Sequence, residues 1–141
     1  MGRRLVALAM IGTILAGGCA RFPDASRRHA RVGDQTLSML VAGADGMRGM
    51  SSFDGADGML FDFAREVDPT AVSFVMDGVA FPMDIAWFDA RGALVGSAPM
   101  TICTAEPCPH YEAPGPYRWA IEAPAGSFAD LSAAARLVVG D

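Results

Sequence analysis

Side chains suited to binding a soft metal ion are concentrated in one short segment. Met100, Cys103, Cys108 and His110 lie within eleven residues of each other. Thioether, thiolate and imidazole groups are ligands that Cu(I) or Zn(II) accepts. The spacing therefore allows a metal site, although Met also serves as ordinary packing at apolar strand positions.

The cysteines of this segment admit two further interpretations. In an exported protein, Cys103 and Cys108 would close a small Pro-rich loop as a disulfide. A redox-active dithiol is less favoured, because the spacing is not Cys-x-x-Cys. We predict the disulfide and keep the metal site as the alternative.

A single acidic residue interrupts an otherwise apolar run. Period-two alternation in Met83–Phe88 places Asp84 on the same face as Ala86 and Phe88. A carboxylate among apolar neighbours must be paired or hydrogen-bonded, or its pKa rises. Arg48 is a plausible partner. In a functional interpretation the pair binds a ligand or acts as acid and base. In a structural interpretation Asp84 forms a buried ion pair, or accepts hydrogen bonds from backbone N–H groups.

Aromatic residues follow the cysteine loop and suggest a binding surface. Tyr111, Tyr117 and Trp119 could line a shallow site for sugars or another protein, or they could form the edge of the core. The predicted ligand-binding set is Arg48, Asp84 and Tyr111.

Signatures of common enzymes are missing from the sequence. There is no Gly-x-Ser-x-Gly elbow, no phosphate loop and no His-Glu-x-x-His segment. Of the two histidines, His29 precedes the predicted domain, so a Ser–His or Cys–His catalytic set would have to use His110. The sequence favours a non-enzymatic protein without a cofactor, and a hydrolase-like enzyme using Asp84 is an alternative.

The first residues have the layout of a secretory signal peptide. Arg3 and Arg4 precede the apolar run Leu5–Leu15, and small residues then end on Cys19. A cysteine in that position resembles a bacterial lipobox, where a signal peptidase cuts and a lipid is attached to the thiol. An ordinary secretory signal with a chance cysteine is the competing interpretation. We predict a signal peptide over residues 1–18 and lipid attachment at Cys19.

The predicted anchor places the protein in the cell envelope, facing the periplasm. In Gram-negative lipoproteins an Asp directly after the cysteine tends to retain the protein on the inner membrane. Here that residue is Ala20, which slightly favours the outer membrane. Residues 19–31 are polar and Arg-rich and are predicted to be a lipid-anchored tether.

Composition restricts the partners of the exported chain. The net charge of the whole chain is −5, and removal of the signal with its two arginines brings it near −7. Phosphate backbones require clustered positive charge, so nucleic acid is excluded as a partner. The membrane, through the lipid on Cys19, and an unknown small molecule or protein remain.

Short apolar runs bounded by turn residues indicate a β-rich domain. The predicted strands are Gln35–Ala42, Met59–Phe63, Ala71–Met76, Met83–Phe88, Ala93–Ala98, Tyr117–Glu122 and Arg136–Val139. Asp89–Gly92, with Asp first and Gly fourth, suits a type I turn and predicts a β-hairpin.

Two segments predict helical structure within this domain. Ser127–Asp130 matches a capping box, which predicts a short helix ending near Ala134. A single helical turn is predicted near Met47–Ser52. The sequence therefore predicts one α+β domain over residues 32–141, mainly antiparallel β, with a small sheet or barrel and one or two short helices.

Several segments occur together in an order that resembles a known family. They are Arg48–Met50, Asp57–Phe61, Ser73–Met76, Pro82–Asp89, Cys108–Tyr111 and Ile121–Gly126. Their order and spacing resemble the domain of unknown function 192 family, also called uncharacterised protein family 0127, over roughly residues 32–141. That family usually has Lys-Asn-Thr where this chain has Asp77–Val79. The resemblance implies a small β-rich domain and no established activity.

Three functions follow from these observations. The leading hypothesis is a non-catalytic binding or accessory module, with a pocket lined by the Arg48 loop, Asp84 and the Cys103–Tyr111 loop. The second is a periplasmic carrier of copper or zinc that uses the Met, Cys and His side chains of residues 100–110. The third is a hydrolase-like enzyme with Asp84 as acid or base.

Overall fold

The computed structural model describes residues 26–43 and 46–140. The predicted signal peptide (1–18) and the predicted anchor Cys19 lie outside the described residues. Within the described ranges the strands are β1 (Arg27–Val32), β2 (Gln35–Val41), β3 (Gly58–Val67), β4 (Phe74–Val75), β5 (Met83–Phe88), β6 (Leu94–Met100), β7 (His110–Tyr111), β8 (Tyr117–Pro124) and β9 (Leu137–Val139).

Seven of these strands form one curled sheet, in the order β6-β5-β8-β3-β2-β1-β9. β2 and β3 run parallel, and the other neighbours run antiparallel. The two outer ends of the sheet approach each other, because Ala93 bridges to Arg136 and the Leu137 N–H donates to the Gly92 carbonyl at 2.8 Å. The sheet is therefore a half-barrel. The short strands β4 and β7 form a separate two-stranded sheet.

Both faces of the curled sheet are covered around β5, the second strand from one edge. All six residues of β5 are buried, as expected for a strand with packing on each side. Ile85 and Trp87 belong to a larger core cluster that includes the β4 residue Phe74. Ala86 and Phe88 belong to a second cluster on the opposite face, together with Phe128.

The predicted α+β class is wrong, since the described residues contain no helix and the fold is all-β. The capping-box segment shows why. The Ser127 hydroxyl donates back to the Pro124 carbonyl at 2.5 Å, and the Phe128 N–H donates to Asp84 Oδ2 at 2.9 Å. Among the described hydrogen bonds, Ser127 Oγ accepts no N–H from residue 129 or 130, as a capping box requires, and residues 125–130 form successive turns. Residues 46–49 likewise form one turn, not a helix.

The local predictions around β5 are confirmed. β5 has the predicted bounds, Met83–Phe88, and the hairpin turn forms as expected. The Gly92 N–H donates to the Asp89 carbonyl at 2.9 Å, and Asp89 Oδ1 accepts from the N–H groups of Arg91 and Ala93. The Asp side chain thus stabilises the turn that its position predicts.

The sheet begins earlier than the sequence indicates. β1 starts at Arg27, inside the segment 19–31 that was expected to be a tether, and pairs with β2 along its whole length. Gly33, at φ 61°, supplies the tight turn between the two strands. No helix in the described part of the chain is long and apolar enough to cross a membrane.

Candidate functional site

A cavity of about 420 Å³ lies between the face of the sheet that carries Trp87 and the segment around β4. Two strands of the sheet, the β4 segment and two loops contribute its walls. The lining residues are Gly43, Gly46, Met47, Arg48, Phe61, Phe63, Val72, Ser73, Phe74, Val75, Asp77, Val79 and Glu122. Its size is in the range of pockets that hold small organic ligands.

Aromatic rings form much of the apolar wall of this cavity. The Phe74 ring packs edge-on against Phe61, with 5.2 Å between centroids, and against Trp87 at 6.2 Å. Phe63 packs edge-on against Tyr117 at 5.4 Å. Edge-to-face packing at these distances fixes each ring against its neighbours. The aromatic wall is therefore built before any ligand enters.

Glu122 is the acidic group buried in the wall of this cavity. Only 5% of its surface is exposed, and its Oε2 finds no hydrogen-bond donor among the described residues. In the sheet it stands opposite Ile85 of β5 and Met59 of β3. Burial in these surroundings raises the pKa of Glu122 to about 7, because desolvation disfavours the charged form.

Two further buried polar atoms near the cavity also find no partner among the described residues. They are Trp87 Nε1 and the Tyr117 hydroxyl, which belong to side chains of the core cluster that includes Phe74. Burial also raises the pKa of Tyr117 to about 12. Unpaired buried donors and acceptors are costly, so these two atoms lower the free energy of unfolding relative to a core in which they are paired.

An ion pair crosses the rim of the cavity. The Arg48 guanidinium lies 3.1 Å from Asp77 Oδ2, and both side chains are at least half exposed. The Gly49 N–H also donates to the Gly78 carbonyl at 3.2 Å, so the two loops are joined by backbone as well. Gly78 has φ 71°, and a Cβ there would lie 3.1 Å from Arg48 Cγ. Glycine therefore suits both the backbone and the close approach of Arg48.

A serine and a histidine meet at the outer side of the cavity. Pairing of β4 with β7 places Ser73 Oγ 2.8 Å from His110 Nδ1. A catalytic serine would also need a third group that orients the imidazole. None of the hydrogen bonds among the described residues supplies one to His110. The arrangement therefore positions the two side chains without completing a catalytic triad.

The structure does not bring Arg48 and Asp84 together. Asp84 is 6% exposed and accepts a hydrogen bond from the Phe128 N–H, which fixes the 125–130 turns against the sheet. It faces the second core cluster, on the side of the sheet away from the cavity. Of the three residues predicted to bind a ligand, Arg48 lines the cavity and Asp84 does not.

The third of them, Tyr111, also stands outside the cavity lining. Its hydroxyl accepts from the Thr101 N–H at 3.1 Å, and its strand β7 pairs with β4. Tyr111 is thus the register partner of Phe74 in the small sheet and packs against the core cluster that contains Phe74.

The cysteine loop is closed by a disulfide between Cys103 and Cys108, with an S–S distance of 2.08 Å. Glu106 Oε2 accepts from the Cys108 N–H, and one of its oxygens lies near both sulfurs. Disulfide sulfurs are not thiolates and are poor metal ligands. The other two predicted metal ligands make different contacts: Met100 is buried in the core, and His110 is hydrogen-bonded to Ser73.

Glu122 is the cavity residue that the sequence analysis did not include among the predicted site residues. The signal was present, because Glu122 interrupts the apolar stretch of β8 as Asp84 interrupts β5. The same alternation rule predicts that its side chain is buried, and a buried carboxyl group must be paired or hydrogen-bonded. Its position opposite Ile85 and beside the cavity depends on pairing with β5 and β3, which are distant in sequence.

Comparisons with known proteins agree with this fold. A structure of a Sinorhizobium meliloti 1021 protein described as a candidate transcription regulator is 19% identical, with a TM-score of 0.63, over 81% of this chain and 94% of that chain. A Novosphingobium aromaticivorans DSM 12444 protein of unknown function is 16% identical, with a TM-score of 0.62, over 78% of this chain and 83% of that chain. At such identities the likeness shows the fold alone.

Sequence comparison identifies the family. A search of curated proteins finds no significant match. The model of the DUF192 family, described as “Uncharacterized ACR”, matches residues 38–138, which is most of the chain. The resemblance inferred from the ordered motifs is thereby confirmed, and the chain belongs to the DUF192 family.

Proposed function

We propose that this protein is a non-catalytic module of the cell envelope that binds a small organic molecule in the cavity beside β4. One observation carries the proposal: Glu122 is buried in the cavity wall, and its Oε2 has no donor among the described residues. A protein interior rarely leaves such a group unpaired unless a ligand or water completes it.

The shape of the wall supports a ligand with an apolar body and one polar group. The rings of Phe61, Phe63 and Phe74 provide a large apolar surface, and Glu122 provides one buried polar contact. Few polar groups in a mostly apolar cavity are typical of sites that orient small molecules. The Arg48–Asp77 pair at the rim could contact a second polar part of the ligand.

The positions of Asp84 and of the Ser73–His110 pair count against the hydrolase hypothesis. Asp84, the acid/base candidate of the hydrolase hypothesis, is bonded to the Phe128 N–H on the far face of the sheet. The Ser73–His110 pair has no third group to orient it among the described residues. General acid–base catalysis needs a group within reach of the substrate, and neither arrangement supplies a complete set.

Delivery to the envelope is supported by residues 1–19 and by the cysteine loop. The signal-peptide layout and the lipobox-like Cys19 predict export and a lipid anchor, with the outer membrane slightly favoured. The Cys103–Cys108 disulfide suits an oxidising compartment such as the periplasm. We propose the membrane, through Cys19, as one partner and a small molecule as the other.

Ligand-observed NMR with a fragment library tests the binding function. The full chain is expressed with its own signal in a Gram-negative host and purified in detergent. We expect hits that lose binding in a Phe74→Ala variant and keep it in an Asp34→Asn variant, whose changed residue is exposed and distant from this cavity. A library without hits, or hits indifferent to Phe74, would contradict the proposed cavity.

Fractionation of the same host tests the envelope assignment. The full chain is expected in the membrane fraction, with an N-terminal mass that shows a diacylglyceryl or triacyl addition on Cys19. The Cys19→Ser variant should lose that mass and move to the soluble periplasmic fraction. An unmodified cysteine would contradict the anchor, and retention in the cytoplasm would contradict export.

A further inference from the structure

We infer that the cavity binds a small organic cation, an amine on a compact apolar body, whose ammonium group pairs with Glu122 against the rings of Phe61, Phe63 and Phe74. The inference rests on the proposed binding function and names the chemical class of its ligand.

The Glu122 carboxyl group lacks a hydrogen-bond donor. It lies in the cavity wall with 5% of its surface exposed, and no side chain donates to its Oε2 among the described residues. An ionised carboxylate in such surroundings needs a positive charge and a hydrogen-bond donor. An ammonium group supplies both in one contact, and charge-assisted hydrogen bonds are among the strongest.

The aromatic wall of the cavity also favours a cation. Three phenylalanine side chains line the same cavity as Glu122. The negative face of an aromatic ring attracts a cation within roughly 6 Å of its centroid, more strongly when water is excluded. A ligand with an apolar body could also bury that body against the rings. The same wall gives no comparable advantage to an anion.

The other charged and titratable groups around the cavity leave the charge of Glu122 without a partner. Arg48 and Asp77 neutralise each other at the rim, 3.1 Å apart. On the β4 and β7 side, His110 is hydrogen-bonded to Ser73 through Nδ1. On the sheet side, burial raises the pKa of Tyr117 to about 12, so its hydroxyl is neutral. Glu122 is therefore the one unpaired acid among the described lining residues, and the net charge of −5 on the chain attracts cations at longer range.

Binding of an ammonium ion should be linked to proton release. The ligand favours the ionised form of Glu122, whose pKa burial holds at about 7. At pH 6 Glu122 is protonated in most protein molecules and must lose its proton to pair with the cation. At pH 8 it is already ionised in most of them. The affinity should therefore rise about tenfold between pH 6 and pH 8 for a group that titrates near neutrality.

Titration calorimetry with three probes of one shape tests the inference. The probes are 2-phenylethylamine, the neutral 2-phenylethanol and the anionic phenylacetate, added to the detergent-purified full chain at pH 6 and pH 8. The amine is expected to bind at least about tenfold more tightly than the alcohol at pH 8, and phenylacetate is expected not to bind. At pH 6, heats measured in buffers of different ionisation enthalpy should show proton release on binding.

Two matched variants identify the group responsible. Glu122→Gln keeps the shape of the side chain and should abolish the preference for the amine over the alcohol, together with the proton release. Asp130→Asn changes an exposed acid outside the cavity and should alter neither. Thermal unfolding of each variant shows that it is folded before it is titrated.

The outcomes separate this inference from the function on which it rests. If the alcohol or phenylacetate binds as tightly as the amine, or if Glu122→Gln keeps the preference, the cationic ligand class is wrong while a binding cavity remains. If none of the three probes binds while the fragment library gives hits, the cationic ligand class is wrong. If none of the probes binds and the library also gives no hits, the binding function itself is wrong.

Discussion

Asp84 and Glu122 lie on adjacent strands of one sheet and bury their carboxyl groups on opposite faces. In the pairing of β5 with β8, Asp84 stands opposite Ala123 and Glu122 stands opposite Ile85. Side chains directly opposite each other share a face, so Asp84 lies on the face of Ala123. Neighbouring residues of a strand point to opposite faces, so Glu122 lies on the other face. Asp84 accepts from the Phe128 N–H, whereas Oε2 of Glu122 has no donor among the described residues. One carboxyl group is therefore hydrogen-bonded to the backbone, and the other belongs to a residue of the cavity lining.

The free energy of unfolding should depend on pH through the raised pKa of Glu122. Its pKa is raised from 4.5 to about 7 in the folded protein. Between these values the unfolded chain has released the proton that the folded protein retains, so rising pH favours unfolding and the effect ends above pH 7. Relative to the Glu122→Gln variant, we expect the wild-type free energy of unfolding to fall by roughly 3 kcal/mol from pH 4 to pH 8.

Urea denaturation of both proteins at several pH values measures this difference. The comparison with Glu122→Gln cancels the titration of the other acids, which both proteins share. A constant difference across the range would show that Glu122 has an ordinary pKa.

Removal of the Asp84 carboxylate should destabilise the fold. In an Asp84→Ala variant the buried Phe128 N–H loses its acceptor, and we expect a loss of about 2 kcal/mol in the free energy of unfolding. Asp84→Asn keeps an acceptor oxygen and should lose less. Chemical denaturation measures both values, and ligand binding in the cavity should be preserved in both folded variants. Equal stability of Asp84→Ala and wild type would contradict the structural role.

The disulfide should contribute measurably although the loop that it closes is short. Cys103 and Cys108 are separated by five positions, and closing so small a loop is worth about 2 kcal/mol by the chain-entropy relation. The double variant with alanine at both positions should lose about that amount in urea unfolding. Intact-mass analysis of the native protein should show a chain two hydrogens lighter than the reduced form. A native chain with the reduced mass would contradict the bond.

The rim ion pair should matter little for stability. Arg48 and Asp77 are 59% and 50% exposed, and pairs of this kind contribute less than about 1 kcal/mol. A double-mutant cycle with Arg48→Ala and Asp77→Ala should therefore give a coupling below that value, and added salt should reduce it further. A larger coupling would show that the pair is shielded from solvent or holds the two loops together.

Features that depend on neighbouring residues were readable from the sequence. The alternation and bounds of β5 follow from six consecutive residues, and the hairpin after it follows from Asp89 and Gly92. Side-chain alternation and turn chemistry act over a few residues, so a pattern in that window predicts them. The family resemblance was readable for a related reason, because it rests on short motifs in a given order.

Features that depend on distant partners were decided by the tertiary structure. The capping-box segment forms turns instead of a helix, and Asp84 holds it against the sheet by accepting the N–H of Phe128, a residue 44 positions later. β1 forms a strand because β2 pairs with one of its edges and β9 pairs with the other. Arg48 pairs with Asp77 and not with Asp84, because Asp84 faces the side of the sheet away from the cavity that Arg48 lines.

The amino-acid sequence by itself determined the β-rich character of the chain, its family, the bounds of β5 and the presence of one acid in each of two apolar strands. Only the tertiary structure decided which face each acid occupies, and that Glu122, not Asp84, lies in a cavity. The reason is physical: local backbone preferences are set by adjacent residues, whereas burial and hydrogen-bond partners arise when strands far apart in sequence pair.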